Sequence, residues 1–147
     1  MVRHTYSCAV RWFDMDAFGH VNNVTFLRYL EEARMDFAVT HAWDSDRLRD
    51  DAVAVVAQHD IAYLRPLRYR SEPVTVELWI TSLDDSAFTL AYEIKDEPGE
   101  PGPANTVYVR AATVMVPYDL GRSRRRALSA HERSTYATFL RSDAVPA

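Results

Sequence analysis

A single long helical pattern, followed by four segments with the residue pattern of strands, most limits how this chain can fold. The helix is predicted to begin at Asn22 or Asn23, both favourable caps, and to run to about residue 42. Its apolar residues recur at steps of four, three and four, at Phe26, Leu30, Ala33 and Phe37. The four predicted strands, rich in β-branched and aromatic residues, cover 52–64, 73–83, 87–96 and 105–118.

The width of the apolar stripe on this helix indicates that a sheet encloses it. Leu27, Ala38 and Val39 extend the stripe beyond the narrow face of a helix that rests on a surface. Segment 97–104 is dense in proline and glycine and is predicted to be a hairpin loop between the last two strands, which makes them antiparallel. We therefore expect an α+β fold in which an antiparallel sheet curls around a long central helix.

The two ends of the chain add a strand and a short helix. Residues 6–13, YSCAVRWF, alternate loosely and are predicted to form a first strand, which gives a five-stranded sheet. Residues 129–140 are predicted to form a closing helix capped by Ser129, and residues 142–147 to fray. The polar stretch after Asp44 is compatible with one more helical turn. At 147 residues, the chain has the length of a single domain covering 1–147.

Charge and cysteine content argue against several classes of function. The formal net charge of -4 offers no general attraction to nucleic acid or to an anionic membrane surface. Every apolar run is shorter than the roughly 20 residues that cross a bilayer. The only cysteine, Cys8, cannot form an intramolecular disulfide, and the first residues lack the apolar segment of a secretion signal. We expect a cytoplasmic protein without nucleic-acid or membrane partners.

The loop between the first strand and the helix concentrates side chains that can perform chemistry. Residues 14–23, DMDAFGHVNN, include two carboxylates, a histidine, a glycine and two carboxamides. A helix N-terminus presents unpaired N–H groups and partial positive charge, which stabilise the oxyanion formed when a thioester carbonyl is attacked. A nearby carboxylate can activate water or attack the carbonyl itself, and neither route needs a metal or a cofactor. The loop is therefore a candidate acyl-transfer site with no cofactor expected.

The segment RWFDMDAFGHVNNVTFLRYLEEAR, residues 11–34, resembles the opening motif of the 4-hydroxybenzoyl-CoA thioesterase family within the hotdog-fold superfamily. In that family a strand runs into an Asp-x-Asp-x-x-Gly loop, and the second aspartate, the catalytic carboxylate, falls on Asp16. The family's oxyanion donor is a backbone N–H at the helix start, which falls on Asn23. The form GHVNN, residues 19–23, is similar to a branch of bacterial acyl-CoA thioesterases. Weaker similarity extends through residues 62–77.

The resemblance also implies an assembly and a substrate. Proteins of this family form hotdog dimers whose sheets join edge to edge, and two dimers often form a tetramer with active sites shared between protomers. The resemblance thus implies a homodimer or tetramer that binds acyl-CoA.

Further residues are candidates for binding or support. Arg65 and Arg68 offer guanidinium forks for the phosphates of coenzyme A. His20 is expected to support the site by a hydrogen bond within the loop or by orienting Asn22. Asp14 is expected to have a structural or tuning role. The predicted substrate-binding residues are Gly19, Asn22, Arg65 and Arg68, and the aromatic residues Tyr63, Trp79 and Phe88 are expected in the core.

The predicted function is hydrolysis of an acyl-CoA thioester to a free acid and coenzyme A, with Asp16 as general base or nucleophile. A hotdog enoyl-CoA hydratase or dehydratase is one alternative, although the loop lacks the Asp-x-Asn-Pro-x-His arrangement typical of such enzymes. A non-catalytic acyl-CoA-binding module is the other, and the presence of Asp16 argues against it. The acyl chain, and coenzyme A versus acyl carrier protein, remain open.

Overall fold

An antiparallel sheet wraps around one long helix. The structure is a computed structural model that describes residues 2–43 and 52–141. Its strands are β1 (His4–Cys8), β2 (Val53–Tyr63), β3 (Val74–Leu83), β4 (Phe88–Lys95), β5 (Val107–Asp119) and the two-residue β6 (Arg124–Arg125). Its helices are α1 (Asn23–Phe37) and α2 (Ala130–Ala137). The predicted α+β architecture is confirmed.

The strands follow the order β1-β3-β4-β5-β2, and β6 pairs with the end of β5. All of these pairings are antiparallel. The strands β1 to β5 agree in number with the predicted five, and the sequence analysis did not predict the short β6. Because β2 pairs only with β5 among the described residues, its other edge is open, and Val55 and Val56 are each 40% exposed.

Helix α1 forms because capping and amphipathicity coincide. The Asn22 side chain accepts a hydrogen bond from the Val24 N–H, as the sequence predicts for this cap. The helix buries one face against the concave side of the sheet, and a π-helical turn, Ala38–Ala42, continues it. The buried residues of α1 are Phe26, Tyr29, Leu30, Ala33, Arg34 and Phe37. The prediction of an enclosed central helix is therefore confirmed.

The first strand lies earlier than the sequence predicts. It covers His4–Cys8, not 6–13, and Trp12–Asp14 form a 3₁₀ turn. The Arg11 N–H donates to the Asp14 carboxylate at 3.0 Å, which closes this turn. Trp12 and Phe13 are 77% and 96% exposed, so the aromatic residues that suggested a strand point away from the core.

The convex face of the sheet carries a buried ion network. Lys95 is fully buried, and its Nζ lies 2.5 Å from the Glu77 carboxylate and 3.2 Å from that of Glu93. Arg3 contacts the same two carboxylates. Burial opposes ionisation of Glu77, but hydrogen bonds from Lys95 and Arg3 outweigh it and lower the pKa of this carboxyl group.

The closing helix α2 confirms the predicted Ser129 cap: its hydroxyl accepts from the Glu132 N–H at 3.1 Å. The helical turn suggested after Asp44 and the fraying of 142–147 fall outside the described residues. Within the described residues, neither helix combines the length and the apolar character needed to span a membrane.

Candidate active site

The loop before α1 is a tight turn closed by its own backbone. The Asp16 N–H donates to the His20 carbonyl at 2.9 Å, and the Gly19 N–H donates to the Asp16 carbonyl at 3.0 Å. Met15 and Val21 form an antiparallel bridge on either side. Gly19 has φ of 78°, a conformation in which a side chain is strained, so the turn favours glycine at this position. Gly19, which the sequence analysis places among the substrate-binding residues, has this backbone role in the loop and also lines a cleft beside Asp16.

The Asp16 carboxylate is half-buried and held from two sides. Its Oδ1 accepts a hydrogen bond from the Phe18 N–H at 2.9 Å. Its Oδ2 lies 3.4 Å from the Asn22 amide nitrogen, a long hydrogen bond. The Asn22 side chain therefore contacts both the carboxylate and the first turn of α1, since its other atom caps Val24.

At the start of α1, one backbone donor is left over. The Asn22 N–H donates to the Asp14 carbonyl, the Thr25 N–H donates to the Asn22 carbonyl, and the Asn22 side chain accepts from Val24. Among the described residues, the Asn23 N–H has no acceptor. A helix end leaves four N–H groups without intrahelical partners, and here three of them are satisfied locally. The free donor is the one expected to bind the oxyanion.

Contacts from other elements fix this loop in place. The Val21 N–H donates to the Leu67 carbonyl at 2.8 Å, and the Tyr63 hydroxyl donates to the Asn23 carbonyl at 3.1 Å. The Tyr29 hydroxyl donates to the Asp14 carboxylate at 2.5 Å. Burial, and then this carboxylate, raise the pKa of Tyr29, which keeps its proton on the phenol. Asp14 therefore ties the loop to α1, in keeping with the structural role expected for it.

Asp16 lies between two clefts. The first has a volume of about 700 Å³ and is lined by Asp16, Gly19 and Asn22 together with Trp12 and Tyr69. The second, of about 380 Å³, is bordered by the following residues: Asp16, His20, Asn23, Phe26, Tyr63 and Arg65. An extended substrate lying along both clefts would pass the carboxylate and the free N–H.

The structure brings most of the predicted site residues together, with two differences. Arg65 borders the second cleft, and it also lines a neighbouring cavity of about 640 Å³ with Arg110. Arg68 is exposed and borders neither of these clefts. The His20 ring makes no hydrogen bond to Asn22, whose amide is engaged by Asp16 and Val24. His20 contributes to the loop through its carbonyl instead.

Sequence reasoning missed the aromatic surroundings of the site. Tyr63 was expected in the core, yet it is 48% exposed and contacts Asn23 at the mouth of the second cleft. Trp79 and Phe88 are buried, as expected. Phe18 is 84% exposed, and the rings of Trp12 and Tyr69 lie 5.3 Å apart beside the first cleft. The available signal was the pair Trp12 and Phe13 directly before Asp14, together with Phe18 within the loop.

The sequence matches the profile of the thioesterase-like superfamily over residues 10–143. The chain belongs to this superfamily. The match includes the Asp16 loop, α1 and every strand from β2 onwards. As a thioesterase-like chain with an antiparallel sheet curled around α1, it has the hotdog fold that the sequence resemblance implied.

Similar proteins carry thioesterase or esterase names. A proposed acyl-CoA thioesterase of Xanthomonas campestris is 33% identical, with 76% of this chain and 89% of that chain covered and a TM-score of 0.66. A Thermus thermophilus thioesterase, whose structure holds coenzyme A and zinc, is 25% identical with 92% of each chain covered and a TM-score of 0.72. A proposed esterase of Aquifex aeolicus is 30% identical over 69% of this chain and 79% of that protein.

Proposed function

We propose that this thioesterase-like protein hydrolyses acyl-CoA thioesters to a free acid and coenzyme A, with Asp16 as the catalytic carboxylate. One observation carries the proposal: the unpaired Asn23 N–H at the start of α1 belongs to the same loop as a carboxylate held by two hydrogen bonds. A carboxylate and an oxyanion donor are the minimum that acyl transfer to water requires.

In the proposed reaction, the thioester carbonyl oxygen accepts a hydrogen bond from the Asn23 N–H. Asp16 removes a proton from a water molecule as its oxygen attacks the carbonyl carbon. The tetrahedral oxyanion is stabilised by the Asn23 N–H and the dipole of α1. When the carbonyl re-forms, the C–S bond breaks and the sulfur of coenzyme A takes up the proton from Asp16. Attack by Asp16 itself, through an anhydride that water then hydrolyses, uses the same residue.

The clefts around Asp16 support an extended thioester substrate. Arg65 offers a cation for the phosphates of coenzyme A near the second cleft, whereas Arg68 lies outside both clefts and is the weaker candidate. The similarity to the proposed acyl-CoA thioesterase of Xanthomonas campestris, and to the Thermus thermophilus thioesterase whose structure holds coenzyme A, supports coenzyme A as the thiol of the substrate.

The assembly and the compartment remain proposals. The open edge of β2, with Val55 and Val56 exposed, supports the edge-to-edge dimer that the family resemblance implies. Pairing of two dimers into a tetramer and a cytoplasmic location stay predictions. The expectation of a reaction without cofactor or metal also stays a prediction; within residues 2–43 and 52–141, no group of three His, Cys, Asp or Glu residues is placed to hold a metal ion.

The direct test is release of free thiol from a panel of acyl-CoAs with aromatic and C4 to C16 chains. We expect wild type to hydrolyse members of the panel and Asp16→Asn to reduce kcat by about 10²- to 10⁴-fold with the fold intact. Asp84→Asn, in the exposed hairpin between β3 and β4, is the matched control and should retain full activity. Absence of turnover, or turnover that does not depend on Asp16, would reject the proposal.

Hydration is tested in the same experiment. Loss of the conjugated absorbance of crotonyl-CoA without release of thiol would assign the chain to the hydratases. Binding of acyl-CoA with neither reaction would indicate the non-catalytic module.

A further inference from the structure

A separate apolar cavity lies between α1 and β2. It has a volume of about 350 Å³, within the range of small-molecule sites, and it does not include Asp16 or Asn23. Met35, Ala38, Val56, Phe88 and Met115 supply apolar walls. Two charged side chains of α1 also belong to the lining: Arg34, which is buried, and Glu31, which is 63% exposed.

The charge of Arg34 is incompletely compensated. Its side chain is only 9% exposed, and Nη1 donates to the Tyr92 hydroxyl at 3.3 Å. Its carboxylate partner, Glu31, lies 4.0 Å from Nη2 and is 63% exposed, so solvent weakens the attraction. A guanidinium has five N–H donors, and burying its charge is costly unless an anion and hydrogen-bond acceptors surround it.

The groups behind Arg34 hold it in place without supplying negative charge. The Thr113 hydroxyl hydrogen-bonds to Tyr92 and lies 2.9 Å from the Nδ1 of His59. Burial, and then the positive charge of Arg34, lower the pKa of His59. The Tyr92–Thr113–His59 network is therefore neutral near pH 7. In the described part of the chain, Glu31 is the only carboxylate that forms an ion pair with Arg34.

We propose that this cavity binds the carboxylate of an apolar chain through Arg34. Apolar walls with a single buried cation fit a molecule that is hydrocarbon for most of its length and anionic at one end. Given the proposed function, on which this step rests, the occupant is the distal carboxylate of an acyl-CoA derived from a dicarboxylic acid. The carboxylate of the free fatty acid product has the same chemistry, so the experiments below distinguish these two ligands.

The distance along α1 sets the chain lengths to test. Arg34 follows Asn23 by eleven residues, which corresponds to about 16 Å of helix. With C–C bonds of about 1.5 Å in a zigzag, roughly a dozen methylenes cover that distance. The panel therefore pairs each methyl-terminated acyl-CoA from C6 to C14 with its ω-carboxylated counterpart.

The first arm measures binding of decanoate by calorimetry and does not depend on catalysis. We expect Arg34→Met to weaken binding by about ten- to a hundred-fold and Arg34→Lys to restore part of it. Glu31→Gln should tighten binding, since it removes the only competing carboxylate from an exposed position that does not threaten folding. Arg133→Met, which removes an exposed cation of α2, should have no effect. Equal affinity in wild type, Arg34→Met and Glu31→Gln would overturn the site.

The second arm measures kcat/KM for the substrate pairs. Wild type should favour the ω-carboxylated member of at least one pair, and Arg34→Met should lose that preference while still hydrolysing the methyl-terminated member. Arg34-dependent binding of decanoate without such a preference would overturn the dicarboxylic assignment and leave the product acid as the ligand. Arg34-dependent binding with no thioester hydrolysed would reject the proposed function and support the site.

Discussion

Asn22 is expected to have two separable roles. Its side-chain oxygen caps α1 by accepting from the Val24 N–H at 2.9 Å, and its amide nitrogen contacts the Asp16 carboxylate at 3.4 Å. Asn22→Ala removes both contacts, whereas Asn22→Ser keeps a capping oxygen and removes only the contact with Asp16. Comparing the two variants therefore separates the stability of the helix from the position of the catalytic carboxylate.

The sizes of the effects follow from these two contacts. Loss of a cap costs about 1 kcal/mol, so Asn22→Ala should lower the free energy of unfolding by that amount and Tm by about 2–4 °C. Asn22→Ser should stay within a few tenths of a kcal/mol of wild type. The hydrogen bond from Asn22 to Asp16 is long, at 3.4 Å, so we assign it the lower value for a hydrogen bond to a charged group, roughly 1.5 kcal/mol. Both variants should therefore reduce kcat by about tenfold.

Urea unfolding and thiol release from an acyl-CoA measure the two effects on the same samples. Ser129→Ala is the matched control, since it removes the cap of α2 and should lose similar stability without losing activity. Wild-type kcat in Asn22→Ser would show that the amide does not position Asp16. Wild-type stability in Asn22→Ala would show that the cap contributes nothing.

Three further predictions concern the turn at Gly19, the ion network around Lys95 and the side chain of His41. Gly19→Ala should lower the free energy of unfolding, measured in urea, by roughly 1–2 kcal/mol, because φ at this position is 78°. The loss should not be larger, since no atom within 4 Å would obstruct the added methyl group. Unchanged stability would contradict this prediction. Lys95→Met should cost roughly 3–5 kcal/mol in urea, since it removes the fully buried cation beside the carboxylates of Glu77 and Glu93; a loss below 1 kcal/mol would mean that Arg3 and Arg110 compensate for it. Burial lowers the pKa of His41 in the folded protein, so the unfolded chain binds a proton there more readily, and Tm should fall as pH drops below about 6.5. His41→Gln should reduce this dependence of Tm on pH. An equal slope of Tm against pH in wild type and His41→Gln would refute the prediction.

Much of the fold could be predicted because its signals are local. The steps of four, three and four on α1, and the caps at Asn22 and Ser129, depend on residues within a few positions of each other. The first strand was misplaced because aromatic residues have high strand propensity whether or not a neighbouring strand covers them. Trp12 and Phe13 belong to a turn that the Asp14 carboxylate closes, and nothing in the pattern of residues 6–13 distinguishes the two cases.

The candidate site was also largely local. The carboxylate, the glycine with positive φ and the helix start all fall within 14–23, so the motif by itself indicated which groups would meet. Its surroundings were not local. Tyr63 reaches Asn23 across forty positions, and the second cleft beside Asp16 depends on how the end of β2 lies against α1.

The sequence by itself determined the central helix, its caps, the antiparallel character of the later strands and the loop that carries Asp16. Only the tertiary structure decided that Arg34 is buried against Tyr92, fifty-eight positions away, beside an apolar cavity. On the sequence, Glu31 and Arg34 have the spacing of an ordinary exposed ion pair. The physical reason for the difference is that periodicity specifies which face a residue occupies, whereas the strand order and register of β4 and β5 determine what that face contacts.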